Sequence, residues 1–273
     1  MTARIAFIGG GNMASSLIGG LIANGANAGD ITASDPNVEQ QQKLQQQFSV
    51  NVTGDNGQAI NQSDVIVLAV KPQLMAVVCQ AIADLGIDLS SKLFVSIAAG
   101  ISVQRLKGLL GEQVAVVRTM PNTPALVGRG MTGLYAPSDV SAEQIAAAEQ
   151  LMQAVGETCW VKQEDDINHI IAAAGSAPAY FFMFMEAMQQ HAEQLGFSPE
   201  QARTLVQQSA LGSAELVAAN PDLDLATLRA NVTSKGGTTA EAVRIFEEQG
   251  LRKVVANAMN AAVERGREME SLF

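Results

Sequence analysis

The stretch Ile5-Ala6-Phe7-Ile8-Gly9-Gly10-Gly11-Asn12-Met13-Ala14 decides the fold. Four apolar residues without polar alternation suit a strand buried on both faces. The glycine run then reads G-x-G-x-x-A. Gly9 permits a tight strand-to-helix turn, Gly11 lets a pyrophosphate approach the backbone, and Ala14 allows the helix to lie close to the sheet. Such a helix start offers free N–H groups to an anion. Glycine triplets also make ordinary loops, so the pattern alone is weak. Its position after a first buried strand, with a second strand ending at Asp35, puts the dinucleotide reading ahead. Asp35 follows Gly11 at close to the ~20 residues expected of an acid that holds a ribose diol. It also stands before Pro36, as a helix cap does, so ligand and cap are equal readings. As a ligand it would favour NADH, because a carboxylate repels a 2′-phosphate and no arginine follows to clamp one.

Further short apolar runs extend the pattern outward: Ile31–Ala33, Val65–Val70, Leu93–Ile97 and Val114–Val117, separated by segments of helical period. Met131–Tyr135 and Thr158–Val161 read as two more strands, one or both at a sheet edge. This alternation predicts a parallel sheet of right-handed βαβ units, an α/β Rossmann-type domain over residues 1–163. After Gln163 the texture turns to Ala-, Met-, Leu- and Gln-rich helical segments, and residues 164–273 read as all-α. Ser198 before Pro199 marks one helix start, and Asn220-Pro221 a stop. Phe181-Phe182-Met183-Phe184-Met185 is apolar on every face of its helix, which predicts burial against a second subunit.

Composition bounds the rest. The chain has 273 residues, 48% hydrophobic and 16% charged, which excludes disorder and supplies a sizeable core. A formal net charge of −10 and 4% aromatic residues argue against a nucleic-acid partner. Val65–Val70, the purest apolar run, falls far short of the ~20 residues of a membrane span. Two cysteines, Cys79 and Cys159, and two histidines, His169 and His191, form no metal-ligand spacing, so no metal is expected. Met1-Thr2-Ala3-Arg4 leads straight into the first strand without a secretory core. The expectation is a cytoplasmic protein with both thiols buried.

Five further segments carry chemistry. Ala69-Val70-Lys71-Pro72 and Ser96-Ile97-Ala98-Ala99-Gly100 end strands, where open α/β sheets bind ligands, although each also reads as a plain strand terminator. Arg118-Thr119-Met120-Pro121-Asn122-Thr123-Pro124 is a rigid polar loop, either a corner or a substrate wall. Asn231-Val232-Thr233-Ser234-Lys235-Gly236-Gly237-Thr238-Thr239-Ala240-Glu241 leads into a helix near Thr238, with Glu241 at capping-box spacing. A cap needs one hydroxyl and no glycine pair. Adjacent glycines at a helix start expose successive N–H groups suited to a small carboxylate. Gly175-Ser176-Ala177-Pro178-Ala179-Tyr180 is a small-residue break within a helical stretch, or a kink at Pro178.

GGGNMA, AVKP, RTMPNTP, GSAPAY and NVTSKGGTT in this order resemble the pyrroline-5-carboxylate reductase family, over nearly the whole chain. The resemblance implies a Rossmann-type domain followed by an all-helical dimerisation domain, in dimers or higher rings of dimers. It implies reduction of (S)-1-pyrroline-5-carboxylate to L-proline with NADPH or NADH. It places cofactor contacts at Ile8, Gly9, Gly10, Gly11, Asn12 and Met13, at Ser34 and Asn56, at Ala69, Val70, Lys71 and Pro72, and at Ala98 and Ala99. Substrate would lie against Asn231, Gly236, Gly237, Thr238 and Thr239, near Ser176. Ala177 and Lys235 depart from the family pattern, where glycine and proline are usual. Thr239 is the first choice for the hydroxyl that serves the ring nitrogen, and Ser176 the second. A β-hydroxyacid dehydrogenase would place a lysine on the first long helix of the second domain, and Asn168–Ser176 offers none. A non-catalytic nucleotide sensor would not need the glycines and threonines at 236–239.

Overall fold

The computed structural model describes residues 3–272. Among them, eight strands form one sheet: β1 (Ile5–Ile8), β2 (Ile31–Ser34), β3 (Asn51–Thr53), β4 (Val65–Leu68), β5 (Leu93–Ser96), β6 (Ala115–Met120), β7 (Gly130–Tyr135) and β8 (Gly156–Trp160). Their order is β3-β2-β1-β4-β5-β6-β7-β8. Helices α1 (Asn12–Ala23), α2 (Val38–Phe48), α3 (Asn56–Asn61), α4 (Pro72–Ala83), α5 (Val103–Leu110) and α6 (Ala142–Gln153) connect the strands.

The apolar runs have the expected cause. Successive residues of one strand enter different cores: Phe7, Val67, Val95 and Val117 pack with Leu17 and Ile18 of α1. Ala6, Ile8, Ile66, Leu68, Phe94 and Val116 pack with Met75 and Cys79 of α4. A strand covered on both faces has no solvent side for polar residues.

The parallel expectation needs one correction. β7 runs antiparallel to β6, and β8 runs parallel to β7, so the last two strands oppose the rest. A parallel return needs a crossover of a dozen residues or more, usually a helix. Between β6 and β7 the chain offers only a single 3-10 turn, Thr123–Val127, and therefore doubles back. β3 escaped the sequence pattern because it is a short edge strand whose three residues are all at least partly exposed.

Beyond β8 the described residues form α7 (Asp166–Ile170), a π-helical turn (Ile171–Gly175), then α8 (Ala177–Gln194), α9 (Pro199–Ala218), α10 (Leu225–Asn231), α11 (Thr238–Glu248) and α12 (Leu251–Leu272). Ser198 caps α9, as its sequence suggested, and the structure adds a capping box with Gln201. By packing, the chain divides into a sheet unit that runs to Ser176 and takes in the residues from Ala261 onward, and a helical unit, Ala177–Asn260.

Only Pro178, Ala202 and Val206 are buried among the described residues of the helical unit. Phe181 is 67% exposed, Phe182 64% and Met183 73%. The helical run Asp166–Gln194 is long and apolar enough to cross a membrane by length and composition. Gly175 and Ser176 interrupt its apolar residues, so the sequence holds no single unbroken apolar run there. Cys79 is buried, but Cys159 on β8 is partly exposed, which corrects the expectation of two buried thiols.

Candidate active site

The carboxyl ends of β1, β2, β4 and β5 lie in register, Ile8 beside Ser34 and Leu68, and Leu68 beside Ser96. At this edge the three glycines serve different ends. Gly9 has φ +101°, and a Cβ there would lie 2.8 Å from the Ala69 carbonyl oxygen. Its N–H donates to the Ser34 carbonyl at 2.8 Å. A Cβ on Gly10 would meet Leu44 Cδ1 at 2.9 Å, whereas one on Gly11 would meet nothing within 4 Å. Gly9 and Gly10 are therefore glycines for internal reasons. The space over Gly11 is open to a group from outside, which fits a dinucleotide pyrophosphate.

Asp35 is neither a bare ligand nor the α2 cap. Its Oδ2 accepts from Gly10 N–H at 2.8 Å and its Oδ1 from Asn37 N–H at 2.9 Å. The cap is Asn37, which accepts from Glu39 N–H. The carboxylate thus braces the glycine turn and holds its charge beside Ser34. The buried Ser34 hydroxyl donates to Asn56 Oδ1 at 2.6 Å, which brings these two expected contacts together. Next to β1, Ala69 N–H donates to the Ile8 carbonyl at 2.8 Å. Val70 and Lys71 then leave the sheet, and Pro72 opens α4. Ala98, buried, and Ala99, partly buried, follow β5 at the same edge.

The helical unit carries the other expected group. α10 ends at Asn231, and Gly236 turns the chain at φ +74°. Gly237 N–H donates to the Ser234 carbonyl at 3.0 Å, and Thr238 begins α11. The expected capping box is absent: Gly237 occupies the cap position and Glu241 pairs with Arg244 instead. Asn231, Gly236, Thr238 and Thr239 are exposed.

The helix starts separate into two kinds. α2, α5, α6 and α9 begin under side-chain oxygens of Asn37, Ser102, Ser141 and Ser198. The short α7 lacks such a cap at Asp165, and so do α1, α4 and α11, which begin at Gly11, Lys71 and Gly237 with no side-chain acceptor on their first N–H groups. Unsatisfied N–H groups at a helix start attract anions. The last three are the starts that the sequence motifs singled out.

Ser176 closes the π-helical turn and belongs to the sheet unit; its N–H donates to the Ile171 carbonyl at 2.7 Å. Pro178 has no N–H to give the carbonyl four residues earlier. That carbonyl, of Ala174, accepts instead from Asn122 Nδ2 at 3.0 Å, while Asn122 Oδ1 accepts from Met131 N–H at 2.9 Å. Of the two sequence readings, a small-residue break or a kink at Pro178, the first holds: the break is a π turn, Ile171–Gly175, braced by the Pro121–Pro124 loop.

The sequence pattern missed a buried cluster beside it. Arg118, 1% exposed, donates from Nη1 to Glu164 Oε1 at 3.0 Å, and its Nη2 lies 2.7 Å from Glu270 Oε1. Asn168, also buried, donates to Asp165 Oδ1 and Glu270 Oε1. No periodicity links positions so far apart; the only sequence signal was a charged residue ending a buried strand. Burial pushes the Cys79 thiol up to about 12, so it stays protonated and is no nucleophile. Among the described residues no group of three or more His, Cys, Asp or Glu is disposed to hold a metal ion.

A largely parallel sheet whose glycine turn opens onto an uncapped helix, followed by a helical unit, defines a dinucleotide-dependent oxidoreductase. Residues 164–269 match the family model for pyrroline-5-carboxylate reductase dimerisation, and residues 4–100 that for NADP oxidoreductase, coenzyme F420-dependent. The chain belongs to the pyrroline-5-carboxylate reductase family. It is 55% identical over 270 residues to the pyrroline-5-carboxylate reductase of Vibrio alginolyticus, covering 99% of this chain and 98% of the relative. Among solved structures, that of a Coxiella burnetii pyrroline-5-carboxylate reductase superposes with TM-score 0.93 at 40% identity, covering 98% of this chain and 99% of that one. The Plasmodium falciparum pyrroline carboxylate reductase with NADP bound gives TM-score 0.86 at 29% identity, covering 98% of each chain.

Proposed function

We propose that this chain reduces (S)-1-pyrroline-5-carboxylate to L-proline with NADPH or NADH, as a cytoplasmic homodimer or ring of dimers, without nucleic-acid or membrane partners. By sequence the nucleotide module is residues 1–163 and the dimerisation and substrate module 164–273, although residues 164–176 and those from Ala261 onward pack with the sheet unit. The nicotinamide, when bound, supplies the hydride. Ile8–Met13 and Ala69–Pro72 would hold the dinucleotide through the open helix starts at Gly11 and Lys71, with Ser34, Asp35 and Asn56 at its ribose end and Ala98-Ala99 at its ring end.

The start of α11 carries the reading. Gly236, Thr238 and Thr239 present N–H groups that no side chain caps, suited to the substrate carboxylate, with Asn231 beside them in sequence, while Gly237, whose own N–H is taken by the Ser234 carbonyl, turns the chain between them. Thr239 would hold the proton at the ring nitrogen, and Ser176 is the second candidate. A cyclic imine that binds protonated needs no strong acid, which agrees with a site built of hydroxyls and amides. Orientation alone supplies effective molarities of about 10⁵ M or more.

The test is consumption of NADPH and NADH by the purified chain given pyrroline-5-carboxylate, with proline measured as product. Turnover with either cofactor supports the reading; no turnover with both overturns it.

A further inference from the structure

Arg118 heads the fully buried side chains by size among the described residues. A guanidinium taken from water needs anions against it, and losing one leaves an uncompensated buried charge. One of its two carboxylates, Glu270, comes from the last turn of α12. That turn is held from several sides. A Cβ on Gly266 would lie 2.6 Å from Asn168 Oδ1, so only glycine lets α12 approach so closely. Arg267 forms a two-pronged pair with Asp165, at 3.0 and 2.7 Å.

Met269 reaches the strand-end loop. Gly100 has φ +73°, and a Cβ there would lie 2.8 Å from Met269 Cβ. At the other end of this loop Ser96 is fixed by Thr119, whose hydroxyl donates to the Ser96 carbonyl at 2.9 Å. Thr119 adjoins Arg118, and Glu270 adjoins Met269. Ala98 and Ala99 are thus suspended between two anchors that meet in one buried ion pair.

We propose that the last turn of α12, through Met269 and Glu270, is a positioning element for the Ala98–Ala99 backbone and so sets dinucleotide affinity. The inference rests on the reading that Ala98 and Ala99 hold the cofactor. A loop braced in advance loses less freedom when it closes on a ligand, and affinity rises accordingly.

Four full-length variants test it by calorimetric titration with NADPH, thermal unfolding and steady-state kinetics. Met269→Ala and Glu270→Gln should weaken NADPH binding about tenfold and raise its KM in step, with the KM for the imine unchanged; misplacing a holding group by about 1 Å can cost about 10²-fold. Met269→Leu, which keeps the volume, should bind as the wild type does. Lys107→Ala, which removes the ion pair of α5 with Asp139 and leaves α12 untouched, should lower the unfolding midpoint without moving NADPH affinity. Met269→Ala and Glu270→Gln proteins that are less stable yet bind normally would overturn the proposal, as would a Lys107→Ala protein that loses affinity equally. A wild-type chain that binds neither NADPH nor NADH would remove the dinucleotide reading itself, and the positioning role with it.

Discussion

Gly9 and Gly11 share one motif but answer to different neighbours. Gly9 is bound by its +101° φ and the Ala69 carbonyl, whereas Gly11, at φ −65°, faces open space. Gly9→Ala should cost on the order of 1–3 kcal/mol of stability, the usual range for such backbone strain. Gly11→Ala should leave the unfolding midpoint unchanged or slightly raised, yet weaken NADPH binding by roughly tenfold or more, because its methyl would intrude on the space proposed for the pyrophosphate. Calorimetric titration beside thermal unfolding separates the two. At Asp35 the prediction concerns charge. Asp35→Ser should shift the ratio of kcat/KM values toward NADPH by removing an anion from the ribose end; an unaltered ratio would leave Asp35 only its brace on Gly10. The motif was legible as a pattern, but which glycine serves packing and which serves a ligand was not, since that depends on Ala69 and Leu44 arriving from elsewhere in the chain.

Helix starts and ends carry the next level of meaning. Sequence placed the start of α11 near Thr238, where it lies, with Glu241 at a spacing that permits a capping box; Gly237 took the cap position instead and left the helix start without a side-chain cap. Thr239→Ala should lower kcat by roughly 10²-fold if its hydroxyl carries the proton, and stopped-flow turnover at saturating substrate measures it. The end of α12 gives a pH signature. The Arg267 guanidinium holds the Asp165 carboxyl down at about 2. An acid with a depressed folded value stabilises above its unfolded value and loses that contribution as pH falls through the folded one. Both partners are near half exposed, so solvent screening keeps the contribution of the pair small. Wild type and Arg267→Ala should therefore differ slightly in urea midpoint at neutral pH and converge as pH falls from about 4 to about 2. The buried apolar strands announced themselves by composition. β3 and the reversal at β7 did not, since the first is too short to show a period and the second is set by the length of a connection.

At the scale of the whole molecule, the sheet unit builds two cores of its own, while the helical unit leaves its aromatic residues outside. The all-round apolar character of Phe181–Met185 was readable in advance as a surface awaiting cover; its partner's geometry was not, because it is not encoded in any one chain's periodicity. Phe182→Glu should convert the assembly to monomers by light scattering and abolish turnover, since a buried unpaired carboxylate is expensive. With only Pro178, Ala202 and Val206 buried among its described residues, the helical unit cannot offset its own ordering entropy. For this unit of the protein, folding and association become one concentration-dependent reaction. Dilution then acts as a mild denaturant, specific activity falls faster than the enzyme is thinned, and a mutant subunit spoils the healthy one it captures.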